Sequence, residues 1–125
     1  MQDRSWWGMA AMSGALVVMA GAFGAHALEG QLAPRLAAAF ETGVRYQAWH
    51  TLAMLAVLAW RAAHPRRGQV LVLGLWTAGI VLFSGSLYVM ALTGVRGLGM
   101  ITPIGGLLMI GGWLALAVCA QRDRA

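Results

Sequence analysis

Four long runs of apolar residues, separated by short polar or glycine-rich segments, organise this chain. They cover residues 6–27, 44–63, 70–92 and 104–120. Each run is close to the ~20 mostly apolar residues that a helix needs to cross a bilayer. The pattern therefore predicts an all-α fold, a four-span transmembrane helix bundle that forms one integral membrane domain over residues 1–125.

The longest connection, between the first and second runs, also has helical features. Pro34 suits the first turn of a helix. Glu41 precedes Arg45 by four positions, which is the favourable order for an ion pair on a helix surface. We expect residues 34–42 to form a short helix on the outer membrane surface, joined to span two near Gly43.

Composition supports a membrane protein. Hydrophobic residues make up 60% of the 125 residues and charged residues only 10%, whereas soluble domains are about 25% charged. So few charged groups cannot cover a water-facing surface. The net charge of +5 is carried by nine basic residues, all of them arginines. Because the arginines flank the apolar runs, we expect them to anchor helix ends rather than bind nucleic acid.

The arginines also predict orientation in a bacterial inner membrane. The N-terminal segment, the second connection and the C-terminal segment hold Arg4, Arg61, Arg66, Arg67, Arg122 and Arg124. The opposite side holds Arg35, Arg45 and Arg96. Since cytoplasmic segments carry the excess of positive charge, both termini are predicted to be cytoplasmic. Arg66 and Arg67 are also placed where they can contact acidic lipid headgroups.

The first apolar run has an alternative interpretation. Arg4, the apolar stretch and then Ala25-His26-Ala27 resemble a secretory signal with a small-x-small cleavage site. The apolar stretch is long for such a signal. We therefore expect the run to remain as a transmembrane span.

Glycine is abundant, with 17 residues in the chain. In a membrane, helices associate through close backbone approach, which small residues permit. Small residues recur along span one (Ala10, Gly14, Gly21, Ala25), span three (Gly74, Ala78, Gly85) and span four (Gly105, Gly111, Gly112, Ala115). These seams predict tight packing, either within one chain or between copies, and bulky residues at Gly14, Gly21 and Gly112 are expected to disturb it.

Polar residues collect in the outer halves of the predicted spans. The candidates are His26, Glu41, Tyr46, His50, Ser84, Ser86, Tyr88 and Thr102. Polar groups in hydrocarbon are costly and tend to face the interior of a bundle. Their similar depth predicts a polar pocket that opens outward. The alternative is that they only make structural hydrogen bonds, since serine in a helix can bond its own backbone.

His50 is the strongest functional candidate, because an imidazole deep in the bilayer needs a hydrogen-bond partner. Tyr46, Glu41 and Ser86 are candidates for that partner. We expect the imidazole to be neutral and bonded to a neighbouring helix, with Ser86 or Tyr88 as the favoured partner. Tyr46, one helical turn earlier, is expected to line the same space.

Two histidines from different spans, His26 and His50, also raise the possibility of a haem or metal site. No cysteine cluster or acidic pair supports that interpretation, and we expect no metal and no cofactor. The chain also shows neither a catalytic triad signature nor a phosphate-binding loop. The sequence therefore favours a protein that is not an enzyme.

Several motifs resemble those of the bacterial YgdD/YwdK family, known as domain of unknown function 423 and similar to eukaryotic transmembrane protein 256. The matching blocks are Gly21-Ala22-Phe23-Gly24-Ala25-His26-Ala27-Leu28, Tyr46 with His50, Phe83-Ser84-Gly85-Ser86-Leu87-Tyr88, Thr102-Pro103-Ile104-Gly105-Gly106, and Gly112-Trp113. The resemblance extends over nearly the whole chain. It implies a four-span inner-membrane protein and supplies no activity.

Three classes of function remain open from the sequence. The first is a binding or transport module whose outer pocket takes a lipid, a quinone, a small solute or a proton. The second is a structural or accessory subunit that docks on a larger membrane complex through its glycine seams. The third is a haem or metal protein. The expected partners are membrane lipids, with a homo-oligomer or a larger complex as further possibilities.

Overall fold

The computed structural model describes residues 2–26, 28 and 30–122. It contains four α-helices: α1 (Gln2–His26), α2 (Pro34–Ala63), α3 (Gln69–Thr93) and α4 (Thr102–Arg122). A 3₁₀-helix at Arg96–Met100 precedes α4. In the described part of the chain, three segments are long and apolar enough to cross a membrane: Asp3–His26, Gln69–Thr93 and Arg96–Arg122. A helix suits that environment because it satisfies its backbone polar groups internally.

Helix α2 differs from the prediction of a separate surface helix. Residues 34–42 are helical, as expected, but they continue through Gly43 into one helix of 30 residues. Gly43 serves close packing: a Cβ atom there would lie 2.8 Å from Cε1 of Tyr88 and 3.3 Å from the carbonyl oxygen of Ser84. The glycine therefore does not mark a break, since contact with α3 supports the helix at this position.

The helices pack mainly in chain order, α1 on α2, α2 on α3 and α3 on α4. Neighbours are antiparallel. The Arg61 side chain bonds Asp3 at 3.0 Å, which joins the end of α2 to the start of α1. Cys119 Sγ donates to the carbonyl oxygen of Arg67 at 2.9 Å, which places the end of α4 beside the α2–α3 turn. We call this end of the molecule the basic end, because most of the described arginines lie there.

The apolar core lies between α2 and α3, with a small contribution from α1. Its members are Ala10, Met54, Val57, Leu58, Val72, Leu73 and Trp76. Trp76 is fully buried, and its indole N–H donates to the carbonyl oxygen of Met109 in α4 at 3.2 Å. Among the described residues of α1, only Ala10 is fully buried. Helix α1 therefore lies at the edge of the bundle with most of its surface exposed.

Close packing at glycine is concentrated between α3 and α4. A Cβ atom on Gly79 would lie 3.1 Å from the carbonyl oxygen of Gly105, and one on Gly105 would lie 2.8 Å from Cα of Phe83. A Cβ atom on Gly112 would overlap the indole ring of Trp76. The predicted seam on α4 is therefore in contact with α3.

The other predicted seams pack less tightly. Gly74 and Gly85 of α3 have open space around them, and Gly79 is the glycine that α3 packs against α4. On α1, Cβ atoms at Gly14 and Gly21 would make ordinary van der Waals contacts of 3.9 and 3.8 Å with α2. The sequence identifies small residues but not the rotation of each helix, so it does not show which of them face a neighbour.

Candidate functional site

A chain of hydrogen-bonded polar side chains joins α1, α2 and α3. Ser13 Oγ shares a hydrogen bond of 2.7 Å with Thr51 Oγ1. Gln47 Nε2 donates to Ser13 Oγ at 3.0 Å. The Tyr88 hydroxyl in turn donates to Gln47 Oε1 at 2.6 Å. The amide of Gln47 is thus the central group, because it accepts from α3 and donates to α1.

The two serines of α3 make separate interhelical bonds. Ser84 Oγ donates to the carbonyl oxygen of Gly43 in α2 at 2.7 Å. Ser86 Oγ bonds Thr102 Oγ1 at 2.6 Å, which joins α3 to the start of α4. Both serines are buried. The two side chains therefore act on opposite neighbours of α3 and do not line one pocket.

His50 is buried in α2 and uses both of its ring nitrogens. Nδ1 lies 2.7 Å from the carbonyl oxygen of Tyr46, and the indole N–H of Trp113 in α4 donates to Nε2 at 3.0 Å. A carbonyl oxygen only accepts, so Nδ1 carries the proton and Nε2 has the free lone pair. The imidazole is neutral in this arrangement and bonded to a neighbouring helix, but its partner is Trp113 rather than Ser86 or Tyr88.

Tyr46 and His50 line a groove between α2 and α4, with Phe83 of α3 at its floor. This groove, which we call the aromatic groove, has a volume of about 680 Å³ and is lined by Tyr46, Trp49, His50, Leu52, Phe83, Gly106, Met109, Ile110 and Trp113. The Tyr46 ring packs against Trp49 and Phe83 at centroid distances of 5.0 and 4.8 Å. Trp49 and Trp113 are partly exposed at the rims. The groove therefore has a lateral opening between α2 and α4.

The predicted polar pocket is thus divided into two regions. Positions 46 and 50 face the aromatic groove, whereas positions 47 and 51 face α1, because successive residues of a helix are rotated by about 100°. Ser84, Ser86, Tyr88 and Thr102 are not among the groove-lining residues. Every buried side-chain nitrogen or oxygen in the described part of the chain has a hydrogen-bond partner. Most of the predicted residues thus make hydrogen bonds between helices.

The two remaining candidates, His26 and Glu41, lie at the end of the molecule opposite to the basic end. Glu41 is exposed and pairs with Arg45 at 3.2 Å. It also borders a second concavity of about 580 Å³ between the end of α1 and the start of α2, with Gly24 and Phe40 among its lining residues. His26 is exposed at the last residue of α1. Among the described residues, no group of three histidine, cysteine or acidic side chains is placed to hold a metal ion.

The sequence did not identify Ser13, Gln47, Thr51 and Trp113 as residues of the site. Gln47 and Thr51 are 5% and 2% exposed, and they form the polar chain with Ser13. Their spacing of four on one helix face was the available signal. Trp113 belongs to a family block, but nothing in the sequence indicates that its indole reaches an imidazole 63 positions earlier.

An all-helical chain with three membrane-length apolar helices and internally paired polar side chains defines a small integral membrane protein. Comparison with known proteins agrees with that class. The family model described as "Protein of unknown function (DUF423)" matches residues 20–106. The chain belongs to this family.

The similar proteins are named UPF0382 membrane proteins. The chain is 41% identical to YwdK of Bacillus subtilis over 115 residues, covering 91% of this chain and 94% of the relative. It is 42% identical over 117 residues to a UPF0382 membrane protein of Haemophilus influenzae, covering 94% of each. It is 40% identical over 118 residues to the inner membrane protein YgdD of Escherichia coli, covering 90% and 86%. No solved structure matches the chain.

Proposed function

We propose that the protein is a small, non-catalytic binding module of the inner membrane, and that its aromatic groove holds a ring-bearing amphiphile of the quinone class. The observation that carries the proposal is the composition of the groove wall. Four aromatic rings and one imidazole line it, namely Tyr46, Trp49, Phe83, Trp113 and His50. Aromatic faces favour offset or tilted contact with another planar ring.

The groove has the dimensions and the chemistry of a ligand site. Its volume of about 680 Å³ falls within the ~300–1,000 Å³ that small-molecule sites occupy. Such sites are mostly apolar with a few polar groups that orient the ligand. The Tyr46 hydroxyl makes no hydrogen bond to any residue that the structure describes, and it is therefore free to donate to a ring carbonyl. The His50 nitrogens, by contrast, are already bonded, which argues against haem or metal ligation there.

A lateral opening requires that α2 and α4 both cross the membrane, so we propose α2 as the fourth span. Its polar side chains at positions 47, 50 and 51 are buried, while Trp49 and Leu52 are 52% and 65% exposed. The surface presented outward by this part of α2 is therefore apolar. At 30 residues, α2 measures about 45 Å, longer than a hydrocarbon core of about 30 Å. Residues 34–43 then extend into the headgroup region on the outer side.

A structural or accessory role is the second candidate, and the exposed surface of α1 favours it. Met12, Leu16 and Met19 are 62%, 48% and 64% exposed. This surface is suited to contact either lipid or another membrane protein, including a second copy. In that case the aromatic groove would be filled by lipid chains without preference for rings.

The proposal is tested by tryptophan fluorescence of the protein in phosphatidylcholine nanodiscs during titration with a short-chain quinone. We expect saturable quenching in the wild type. Gly106→Leu should abolish it by filling the groove, because a Cβ atom at Gly106 lies at an ordinary 3.7 Å from the Phe83 ring. The matched control is Gly85→Leu, since Gly85 faces open space and does not line the groove. Non-saturable quenching in the wild type, or equal quenching in both variants, would contradict the proposal.

A further inference from the structure

The concavity between the end of α1 and the start of α2 is separate from the aromatic groove. It has a volume of about 580 Å³, and we call it the α1–α2 concavity. One wall comes from the last two turns of α1, at positions 20, 21, 24 and 25, and the other comes from positions 37–44 of α2. The α1 wall consists only of alanine and glycine. These small residues leave the space between the two helices open.

The α1–α2 concavity lies at the boundary between lipid headgroups and hydrocarbon. The membrane-length segment Asp3–His26 has 24 residues and measures about 36 Å, so its ends extend beyond a hydrocarbon core of about 30 Å. A Cβ atom on Gly24 would lie 3.0 Å from the Phe40 ring, and one on Gly21 would lie 3.8 Å from Val44. These two levels are about 3 and 8 Å below the end of α1. The concavity therefore adjoins both headgroups and acyl chains.

Two opposite charges lie on α2 beside the concavity, in a defined order along the helix. Glu41 lines the concavity. Arg45 follows one turn, or about 6 Å, closer to the membrane centre, and its Nη2 donates to Glu41 Oε1 at 3.2 Å. The two side chains are 72% and 50% exposed, respectively. A carboxylate accepts more than one hydrogen bond, so Glu41 remains accessible to a further donor.

We infer that the α1–α2 concavity binds phosphatidylethanolamine from the adjacent leaflet, with the ammonium group on Glu41 and the phosphate beside Arg45. The headgroup of this lipid carries its phosphate next to the glycerol and its ammonium farther out, which is the order of the two complementary charges on α2. A primary ammonium has three N–H donors for a carboxylate. The choline headgroup has no N–H donor, and a purely anionic headgroup is repelled by the carboxylate.

The acyl chains of the same lipid have an apolar path below the charges. Ala20 and Val44 line the deeper part of the concavity. Leu16, one turn before Ala20 on the same face of α1, is 48% exposed. An acyl chain can therefore continue along α1 toward the membrane centre. This contact favours the complete lipid over free phosphoethanolamine.

The lipid site is independent of the aromatic groove. The groove lies between α2 and α4, whereas the α1–α2 concavity lies on the other side of α2, and no described residue lines both. The lipid site rests on α1 as a membrane span and does not rest on quinone binding. A failure of quinone binding therefore leaves the lipid site untouched, and the reverse also holds.

Native mass spectrometry of the full chain tests the inference, with an equimolar mixture of phosphatidylethanolamine, phosphatidylcholine and phosphatidylglycerol that have identical acyl chains. We expect preferential retention of phosphatidylethanolamine. Glu41→Gln should lower its preference over phosphatidylcholine about fivefold, which is about 1 kcal/mol and the upper end for an exposed ion pair. The matched control is Asp3→Asn, which removes the acidic partner of Arg61 from an ion pair at the basic end. This control should retain the preference.

A second pair of variants tests the place of binding without changing charge. Ala25 and Ala22 are both exposed on α1, but only Ala25 lines the concavity. Ala25→Leu should remove the preference for phosphatidylethanolamine by filling the space, whereas Ala22→Leu should retain it. Equal retention of phosphatidylethanolamine and phosphatidylcholine by the wild type, or equal effects within either pair of variants, would overturn the inference. Displacement of the lipid by millimolar free phosphoethanolamine would also overturn it, because the acyl chains would then contribute nothing.

Discussion

At the scale of single residues, every buried polar side chain that the structure describes has a hydrogen-bond partner. Gln47 is the clearest case, since it accepts from Tyr88 in α3 and donates to Ser13 in α1. An amide can do both because it carries an acceptor and two donors. In a medium without water each unpaired group is costly. The polar side chains therefore determine which helix faces meet, in addition to holding them together.

The Tyr88 hydroxyl provides a test of this role. We expect Tyr88→Phe to lower the free energy of unfolding by about 0.5–2 kcal/mol, because Gln47 Oε1 loses its donor while the ring packing remains. Unfolding by sodium dodecyl sulfate in mild detergent, followed by circular dichroism, measures the change.

Tyr46→Phe is the matched control for Tyr88→Phe. The Tyr46 hydroxyl makes no hydrogen bond to the part of the chain that the structure describes, so its loss should change stability by less than about 0.5 kcal/mol. If the two variants were equally stable in the absence of ligand, the Tyr88–Gln47 bond would contribute nothing to folding.

At the scale of helices, the α3–α4 pair is the closest contact in the described structure. Gly79, Gly105 and Gly112 allow it, because each lies against backbone or an indole ring of the partner helix. Dispersion contacts replace the hydrophobic effect as the source of association between membrane helices. This pair also contributes one wall and the floor of the aromatic groove.

Gly105→Ala is expected to be destabilising by about 1–3 kcal/mol, because the new methyl group meets the backbone of Phe83, which cannot rotate away. Gly85→Ala, on α3 but in open space, should be neutral or slightly stabilising, since alanine is the better helix former. Thermal unfolding of both variants in the same detergent compares them. Equal melting temperatures would contradict the close contact of Gly105 with the backbone of Phe83.

At the scale of the whole molecule, the fold separates charge between two ends. Arg4, Arg61, Arg66, Arg67 and Arg122 lie at the end where α1 and α3 begin and where α2 and α4 end. Arg35, Arg45 and Arg96 lie at the opposite end. Because arginine-rich ends tend to stay in the cytoplasm, our proposal of four antiparallel spans predicts that both chain termini lie on that side.

A reporter fused after residue 125 tests this topology. Alkaline phosphatase, which is active only outside the cytoplasm, should be inactive there, while a fluorescent protein that folds in the cytoplasm should be bright. The same reporters inserted after Gly94, beyond the end of α3, should give the opposite result. An active phosphatase at the C-terminus would reverse the orientation, and matching results at both positions would exclude α4 as a complete span.

The sequence predicted the helical elements well because their signal is local. The run at 70–92 became α3 (Gln69–Thr93), and the run at 104–120 became α4 (Thr102–Arg122). The run at 44–63 ends where α2 ends, at Ala63. The span was predicted to begin at residue 44, whereas α2 begins at Pro34. The polar residues between 34 and 43 interrupt the apolar run but not the helix.

Sequence alone thus determined the class of protein, the helices and their approximate ends, because apolar length and charge placement are properties of each segment. Tertiary structure decided the partners: Trp113 for His50, Gln47 for Tyr88, and Gly79 rather than Gly74 or Gly85 at the α4 contact. The reason is the solvent. In a bilayer both the buried and the lipid-facing sides of a helix are apolar, so periodicity does not reveal its rotation. Only the packing of all four helices together determines which side of each one faces inward.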